Sequence, residues 1–162
     1  MAHRPLPADN QSLAPAARPT VALAMGDPAG ISPELMAKAL CLDDLRQAAR
    51  LVVFGDRRVL AAGAAVAGVS PEIAVVADPA EAPADESRPI FVDLGHLDPA
   101  TIRLGEVSRE GGAFAVANFR AALRYAAAGH AQAVAFTPFN KAAMRLAHPS
   151  YEDEITFLTE EL

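Results

Sequence analysis

Three short segments concentrate groups able to hold or activate a polar ligand. The first is Gly26-Asp27-Pro28-Ala29-Gly30, which follows the apolar run Val21 to Met25 and precedes a helical pattern. Glycine lets the backbone approach a ligand, and free N–H groups at a helix start favour negative charge. The segment is neither G-x-G-x-x-G nor a Walker loop ending in Gly-Lys-Ser/Thr, and Asp27 would repel a phosphate. On spacing alone a strand-to-helix turn is the stronger reading, and a ligand site at the strand's carboxyl end stays open.

The second segment is Thr137-Pro138-Phe139-Asn140-Lys141, again after an apolar run. Lys141 could hold a carboxylate or phosphate as a point charge, and Asn140 could donate and accept. The alternative makes Asn140 a helix cap and leaves Lys141 in solvent; the two readings balance. The third is Glu152-Asp153-Glu154. Acids at a helix start usually complement its dipole; the sharper reading turns one of them inward to a metal, a hydroxyl or a cation. His3, His96, His130 and His148 stand in four separate contexts with no i, i+4 pair. They support neither a metal site nor a Ser-His-Asp constellation.

The elements that must position these segments alternate. Val21 to Met25, Leu51 to Phe54, Ile73 to Ala77, Ile90 to Asp93 and Ala133 to Phe136 read as buried strands. Ser32-Pro33-Glu34 offers an N-cap, a first-turn proline and an acid for a helix from Pro33 to about Leu40. Asp56 can cap a helix running to Ala67 before Gly68. Val116, Phe119, Leu123 and Ala126 fall at helical spacing between Ser108 and Ala128, and Gly129 offers the stop. A further helix spans Ala142 to Leu146. The proline-broken, acidic Asp78 to Pro89 reads as a surface loop. Strands alternating with helices point to an α/β sheet covered on both faces.

Residues 1–19 are Pro- and Ala-rich without periodicity and read as a flexible arm. The run "EITFLTEEL" ends at Leu162 without a C-cap. The expected organisation is therefore the front of a longer protein, with a first domain over 20–136 and the start of a second over 137–162. A net charge of -6 and a pI near 5.1 argue against a nucleic-acid partner, which needs a concentrated basic surface. No apolar run approaches the ~20 residues of a membrane span, and the N-terminus lacks a signal peptide's apolar stretch. With a single cysteine, Cys41, the expected compartment is the reducing cytoplasm.

"MGDPAGISPELMAKAL", followed far downstream by "AVAFTPFNKAAMRLAHPSYEDEITFLTEEL", resembles the 4-hydroxythreonine-4-phosphate dehydrogenase family of vitamin B6 biosynthesis and its catabolic relatives. The match runs from about Thr20 to Leu162. The resemblance implies a two-domain α/β fold like that of isocitrate and isopropylmalate dehydrogenases, of which this chain carries the first domain and the start of the second. It implies a homodimer with its active site between domains. The implied chemistry is NAD-dependent oxidation of a secondary hydroxyl, then decarboxylation, with a divalent metal polarising the oxygen. The metal-binding histidines it implies lie further along such chains, so the 162 residues alone are expected to be inactive.

The resemblance also places a substrate-binding set at Asp27, Asn140, Lys141, Glu154 and Ile155. Asn140-Lys141 stands where biosynthetic members show His-Lys, and Glu154-Ile155 stands where they show a substrate-touching His-Thr. An acid and an apolar group in place of a cation and a hydroxyl should disfavour a phosphorylated substrate. The expected substrate is then another hydroxy acid or a dihydrodiol-type carboxylate. A non-catalytic α/β ligand-binding or interaction protein on the same half-fold is the alternative. An enzyme handling phosphoryl or acyl-phosphate groups is less supported, for want of a Walker lysine or an evident nucleophile.

Overall fold

Side chains along a strand alternate between the two faces of its sheet, and here that alternation decides which helices cover which side. The computed structural model describes residues 18–83 and 86–162. Its strands are β1 (Thr20–Ala24), β2 (Arg50–Gly55), β3 (Ala74–Val76), β4 (Ile90–Asp93) and β5 (Ala133–Phe136). Its helices are α1 (Ser32–Leu40), α2 (Asp43–Ala48), α3 (Arg57–Ala67), α4 (Arg109–Ala127), α5 (Lys141–Ala147) and α6 (Glu154–Glu161). The strands form one sheet in the order β3-β4-β2-β1-β5, with every pairing parallel.

Ala22, Ala24, Val52, Phe54, Ile90 and Val92 point to one face, where they meet Ala115, Phe119, Ala122 and Leu123 of α4. Leu51, Val53 and Phe91 point to the other, against Met36 and Leu40 of α1 and Val59 and Leu60 of α3. Burial on both faces is why β2 and β4 read as unbroken apolar runs rather than alternating ones. Residues 137–162 share the α4 core: Met144, Tyr151 and Phe157 are buried, and Phe157 stacks on Phe119 with ring centroids 5.5 Å apart. Burying one such phenyl ring contributes about 2 kcal/mol.

The chain therefore leaves β1 toward α1 on one face and leaves β5 toward α5 on the opposite face. Where neighbouring strands send their connections to opposite sides, an open α/β sheet forms a crevice at the strands' carboxyl ends. That divergence falls between β1 and β5, at the two segments richest in chemistry.

Local capping chemistry sets most helix boundaries. Asp56 Oδ1 accepts from Arg58 N at 2.9 Å and starts α3, while Gly68 ends it with a φ of 66°. Ser108 accepts from Gly111 N to begin α4, Asn140 from Ala143 N to begin α5, and Asp153 from Thr156 N to begin α6.

Four expectations change. Ser32 does not cap α1: the N-cap position is Ile31, without a side-chain cap, and Ser32 is the first helical residue. Its hydroxyl turns back to the preceding loop. α2 was not anticipated, because none of its residues is buried and so no apolar stripe marks it. The third strand shrinks from Ile73–Ala77 to three residues. Two 3-10 turns, Pro79–Glu81 and Pro99–Thr101, are capped by Asp78 and Asp98. Of the expected N-terminal arm, residues 1–17 lie outside the described residues. Arg18 and Pro19 are docked, Arg18 donating to Arg46 O and Pro19 O accepting from Arg50 N.

Candidate functional site

At the crevice, the loop after β1 and the loop after β5 are sewn together. Gly26 N donates to Ser32 Oγ at 2.8 Å and to Thr137 Oγ1 at 3.1 Å. The two hydroxyls are 2.5 Å apart, so one donates to the other. Asp27 N donates to Pro138 O at 2.9 Å. Only glycine fits at 26, because a Cβ there would lie 2.2 Å from Pro138 O and 2.3 Å from Thr137 O.

These bonds settle whether residues 26–30 cradle an anion. Pro28 has no N–H, and the other four amides are all engaged within the protein. Ala29 N donates to Asp27 Oδ1 at 2.9 Å and Gly30 N to Asp27 O at 3.3 Å. Asp27 is 9% exposed, folded over its own turn, with the first turn of α4 beside it: a methyl on Gly111 would sit 3.6 Å from Asp27 Oδ1. A carboxylate at a helix start is favoured by the helix dipole. The segment is a braced wall, and Asp27 shapes it.

Behind the wall, buried Asn118 on α4 donates from Nδ2 to Met25 O at 2.9 Å. Its Oδ1 is buried without a hydrogen-bond partner among the described residues. Gly105 N donates to Ala29 O at 2.8 Å, holding the loop before α4 against the same turn. Gly112 lets α4 and α5 close, since a Cβ there would lie 1.8 Å from Ala143 O.

Lys141 and Glu154 supply the charged part of the site. Lys141 Nζ meets Glu154 Oε2 at 3.0 Å, with side chains 46% and 26% exposed. Burial opposes ionisation of Glu154, yet its own backbone N–H and Lys141 prevail and hold its carboxyl below the usual range. Tyr151 lies beneath, 1% exposed, with a buried hydroxyl that has no hydrogen-bond partner among the described residues. Burial and the neighbouring Glu154 push that phenol well above its ordinary range. Arg145 fixes the segment by donating to Tyr151 O and Glu152 O, both at 3.1 Å.

Of the five expected substrate-binding residues, Lys141 and Glu154 are thus in contact. Asn140 spends its side-chain oxygen capping α5 and Asp27 spends Oδ1 on its own turn. Ile155 is 78% exposed. Of the acidic triplet, Asp153 caps α6 and Glu154 turns to a cation. Ser32, Asn118 and Tyr151 were not anticipated. A polar residue inside an alanine-rich apolar helix was the available signal for Asn118; Ser32 and Tyr151 carried none, because their roles depend on tertiary packing.

Among the described residues no three His, Cys, Asp or Glu side chains gather as a metal-binding group, so the implied divalent ion finds no ligand set within them. The Gly26–Gly30 amides, all engaged, do not fit the pyrophosphate of a dinucleotide. Among the described residues no helix is long and apolar enough to cross a membrane.

The family model described as pyridoxal phosphate biosynthetic protein PdxA matches residues 47–162. A Rhizobium meliloti protein provisionally named 4-hydroxythreonine-4-phosphate dehydrogenase 2 is 55% identical over 145 residues, which are 90% of this chain and 42% of that protein. D-threonate 4-phosphate dehydrogenase of Bordetella bronchiseptica is 37% identical over 155 residues, 93% of this chain and 43% of that one. The crystal structure of a 4-hydroxythreonine-4-phosphate dehydrogenase from Burkholderia phymatum superposes with a TM-score of 0.81 at 25% identity, over 90% of this chain and 44% of that one. Its relatives share the isocitrate dehydrogenase-like fold, of which the parallel sheet described above is a part. This chain spans less than half the length of these relatives. It belongs to the PdxA family of pyridoxal phosphate biosynthetic proteins.

Proposed function

We propose that this chain forms the substrate-side wall of a dehydrogenase that oxidises the secondary hydroxyl of a small hydroxy acid with NAD. The reading extends to decarboxylation of the keto acid formed, and to a substrate without the phosphate carried in the relatives' names. The observation that carries it is the Lys141–Glu154 pair beside the braced Gly26–Gly30 wall, at the crevice between β1 and β5. Dehydrogenase names among the relatives support the oxidoreductase class.

Within that reading Lys141 binds the substrate carboxylate, and the negative charge of Glu154 weighs against a dianionic phosphate at the same place. Residues 26–30 and 137–138 form a closed floor with no free amide in the first turn, so substrate is oriented from the side of α5 and α6. NAD, once bound, supplies the hydride acceptor. A divalent ion polarising the hydroxyl, homodimerisation, residues 137–162 as the start of a second domain, and a cytoplasmic location complete the proposal. The 162 residues alone reduce no NAD in it, because they contain no metal ligand set among those described.

The test is NAD reduction by a protein of the relatives' full length, with divalent metal and a panel of hydroxy acids and dihydrodiol carboxylates. Lys141→Met should raise KM about 10- to 100-fold, the size of one lost charge-assisted contact. Ligand binding without turnover on any member of the panel would move the assignment to a binding module.

A further inference from the structure

The hydroxyls of Ser32 and Thr137 carry two protons between them, and only one can lie in the bond that joins them. Counting partners decides which. Ser32 is fully enclosed. Its oxygen accepts from Gly26 N at 2.8 Å, and among the described residues the acceptor within reach of its own proton is Thr137 Oγ1, 2.5 Å away. Buried polar groups are nearly always paired, so Ser32 donates and Thr137 accepts. The reverse order would strand the Ser32 proton in the interior, a desolvation penalty with nothing to offset it. Thr137 Oγ1 also accepts from Gly26 N at 3.1 Å. A hydroxyl oxygen has two lone pairs, and at Thr137 both are now taken. What remains is its proton, for which the described residues provide no acceptor.

We infer that Thr137 is a ligand-binding residue, an obligate hydrogen-bond donor held toward the crevice for an oxygen acceptor of the substrate, and that Ser32 is the residue that positions it. The place in the fold fits the role. Thr137 is half-buried and follows β5 directly, at the strand ends where the connections diverge. Its backbone is clamped on both sides: Thr137 N donates to Ala24 O at 3.1 Å, and Pro138 O accepts from Asp27 N at 2.9 Å. With backbone and oxygen both fixed, the direction of the proton is set before a ligand arrives, and little ordering is left to offset on binding. A carboxylate, hydroxyl or carbonyl oxygen completes a chain from Ser32 through Thr137 to the ligand, in which each bond polarises the next. An ammonium or amide N–H in the same place meets a donor with a donor and is rejected. The hydroxyl thus supplies the donor that the engaged amides of the Gly26–Gly30 wall do not.

The inference rests on the proposed reading that substrate occupies this crevice, and its test separates the two. In a protein of the relatives' full length, neutron diffraction from crystals exchanged into deuterium oxide should place the Ser32 deuteron between the two oxygens and the Thr137 deuteron off that line, toward the crevice. With lactate as the probe, Kd from an NMR titration should rise about tenfold in Thr137→Val, the worth of one hydrogen bond to a charged acceptor. Thr137→Ser keeps the hydroxyl and should return to within about threefold of wild type. Ser32→Ala also breaks the bond between the hydroxyls yet keeps the Thr137 proton, so it should weaken lactate binding by about threefold or less. Equal losses in Ser32→Ala and Thr137→Val would mark a merely structural role and overturn the assignment. A Thr137 deuteron aimed at Ser32, or lactate binding that does not differ between wild type and Thr137→Val, also overturns it. Thr137-dependent binding of lactate without NAD reduction upholds it while contradicting the dehydrogenase proposed above.

Discussion

Asp27 N donates to Pro138 O at 2.9 Å, and this bond joins the ends of two strands that are 111 residues apart along the chain where Gly26 meets Thr137. It converts two turns into one rigid floor at the point where the chain leaves the sheet in opposite directions.

Gly26→Ala tests that floor. The new methyl meets backbone oxygens of Thr137 and Pro138, which cannot rotate away as a side chain can. Stability should fall by about 2–3 kcal/mol, in the range of overpacked sites, read as a lower urea midpoint. An unchanged midpoint would mean that the two loops are not in contact.

Ser32→Ala removes a buried hydroxyl shared by Gly26 N and Thr137. The expected cost is about 1–2 kcal/mol, that of a buried amide left with one weaker partner. The helix itself should persist, because Ser32 does not cap it; circular dichroism should show unchanged helix content.

Gly112→Ala and Gly68→Ala form an informative pair. At Gly112 a Cβ would meet Ala143 backbone at 1.8 Å, whereas at Gly68, with φ 66°, nothing among the described residues lies within 4 Å. Gly68→Ala should cost about 1 kcal/mol through its left-handed backbone alone. Gly112→Ala should cost at least twice that by forcing α4 and α5 apart, measured by thermal melts of both variants.

Asp56 carries a pH dependence whose sign is fixed. Arg58 beside it holds its carboxyl below the ordinary value against the opposing effect of burial, so the folded state favours the ionised form. Its contribution is complete above the unfolded value of about 4 and is lost as pH falls through the lower folded value. Asp56→Asn keeps a side-chain oxygen able to cap α3 but loses the charge pairing with the Arg58 guanidinium, and should therefore cost about 1 kcal/mol at pH 7. The gap to wild type should stay constant from pH 8 to 5 and narrow below pH 4. A gap that widens in acid would contradict this assignment.

The sheet was readable because its strands are buried on both faces, so Leu51 to Phe54 and Ile90 to Asp93 stand out as apolar runs. Caps at Asp56 and Asn140 were readable for a local reason: each bonds an amide two or three residues ahead; Asp153 was read only as part of an acid run complementing the helix dipole, and it caps α6 in the same way. Ser32 misled because its residue type and the following proline fit a cap, while its hydroxyl turns back to Gly26 N and to Thr137, 105 residues away. α2 left no trace, since a helix with no buried face has no period to detect. At the site, the charges at Lys141 and Glu154 were visible, but their contact depends on α5 and α6 folding back on α4. Tyr151 is invisible in sequence as anything but one more aromatic core residue; the enclosure of its hydroxyl, without a partner among the described residues, exists only in the packed state.

The central claim is that the Lys141–Glu154 pair selects an unphosphorylated hydroxy acid. Its most direct test is kcat/KM for matched hydroxy acids with and without a phosphate, measured on a protein of the relatives' full length and on its Glu154→His variant. The account predicts that the native protein prefers the unphosphorylated member, and that Glu154→His moves the ratio toward the phosphorylated one by about tenfold or more, the worth of one charge-assisted contact. A native preference for the phosphorylated acid, left unchanged by Glu154→His, would contradict it.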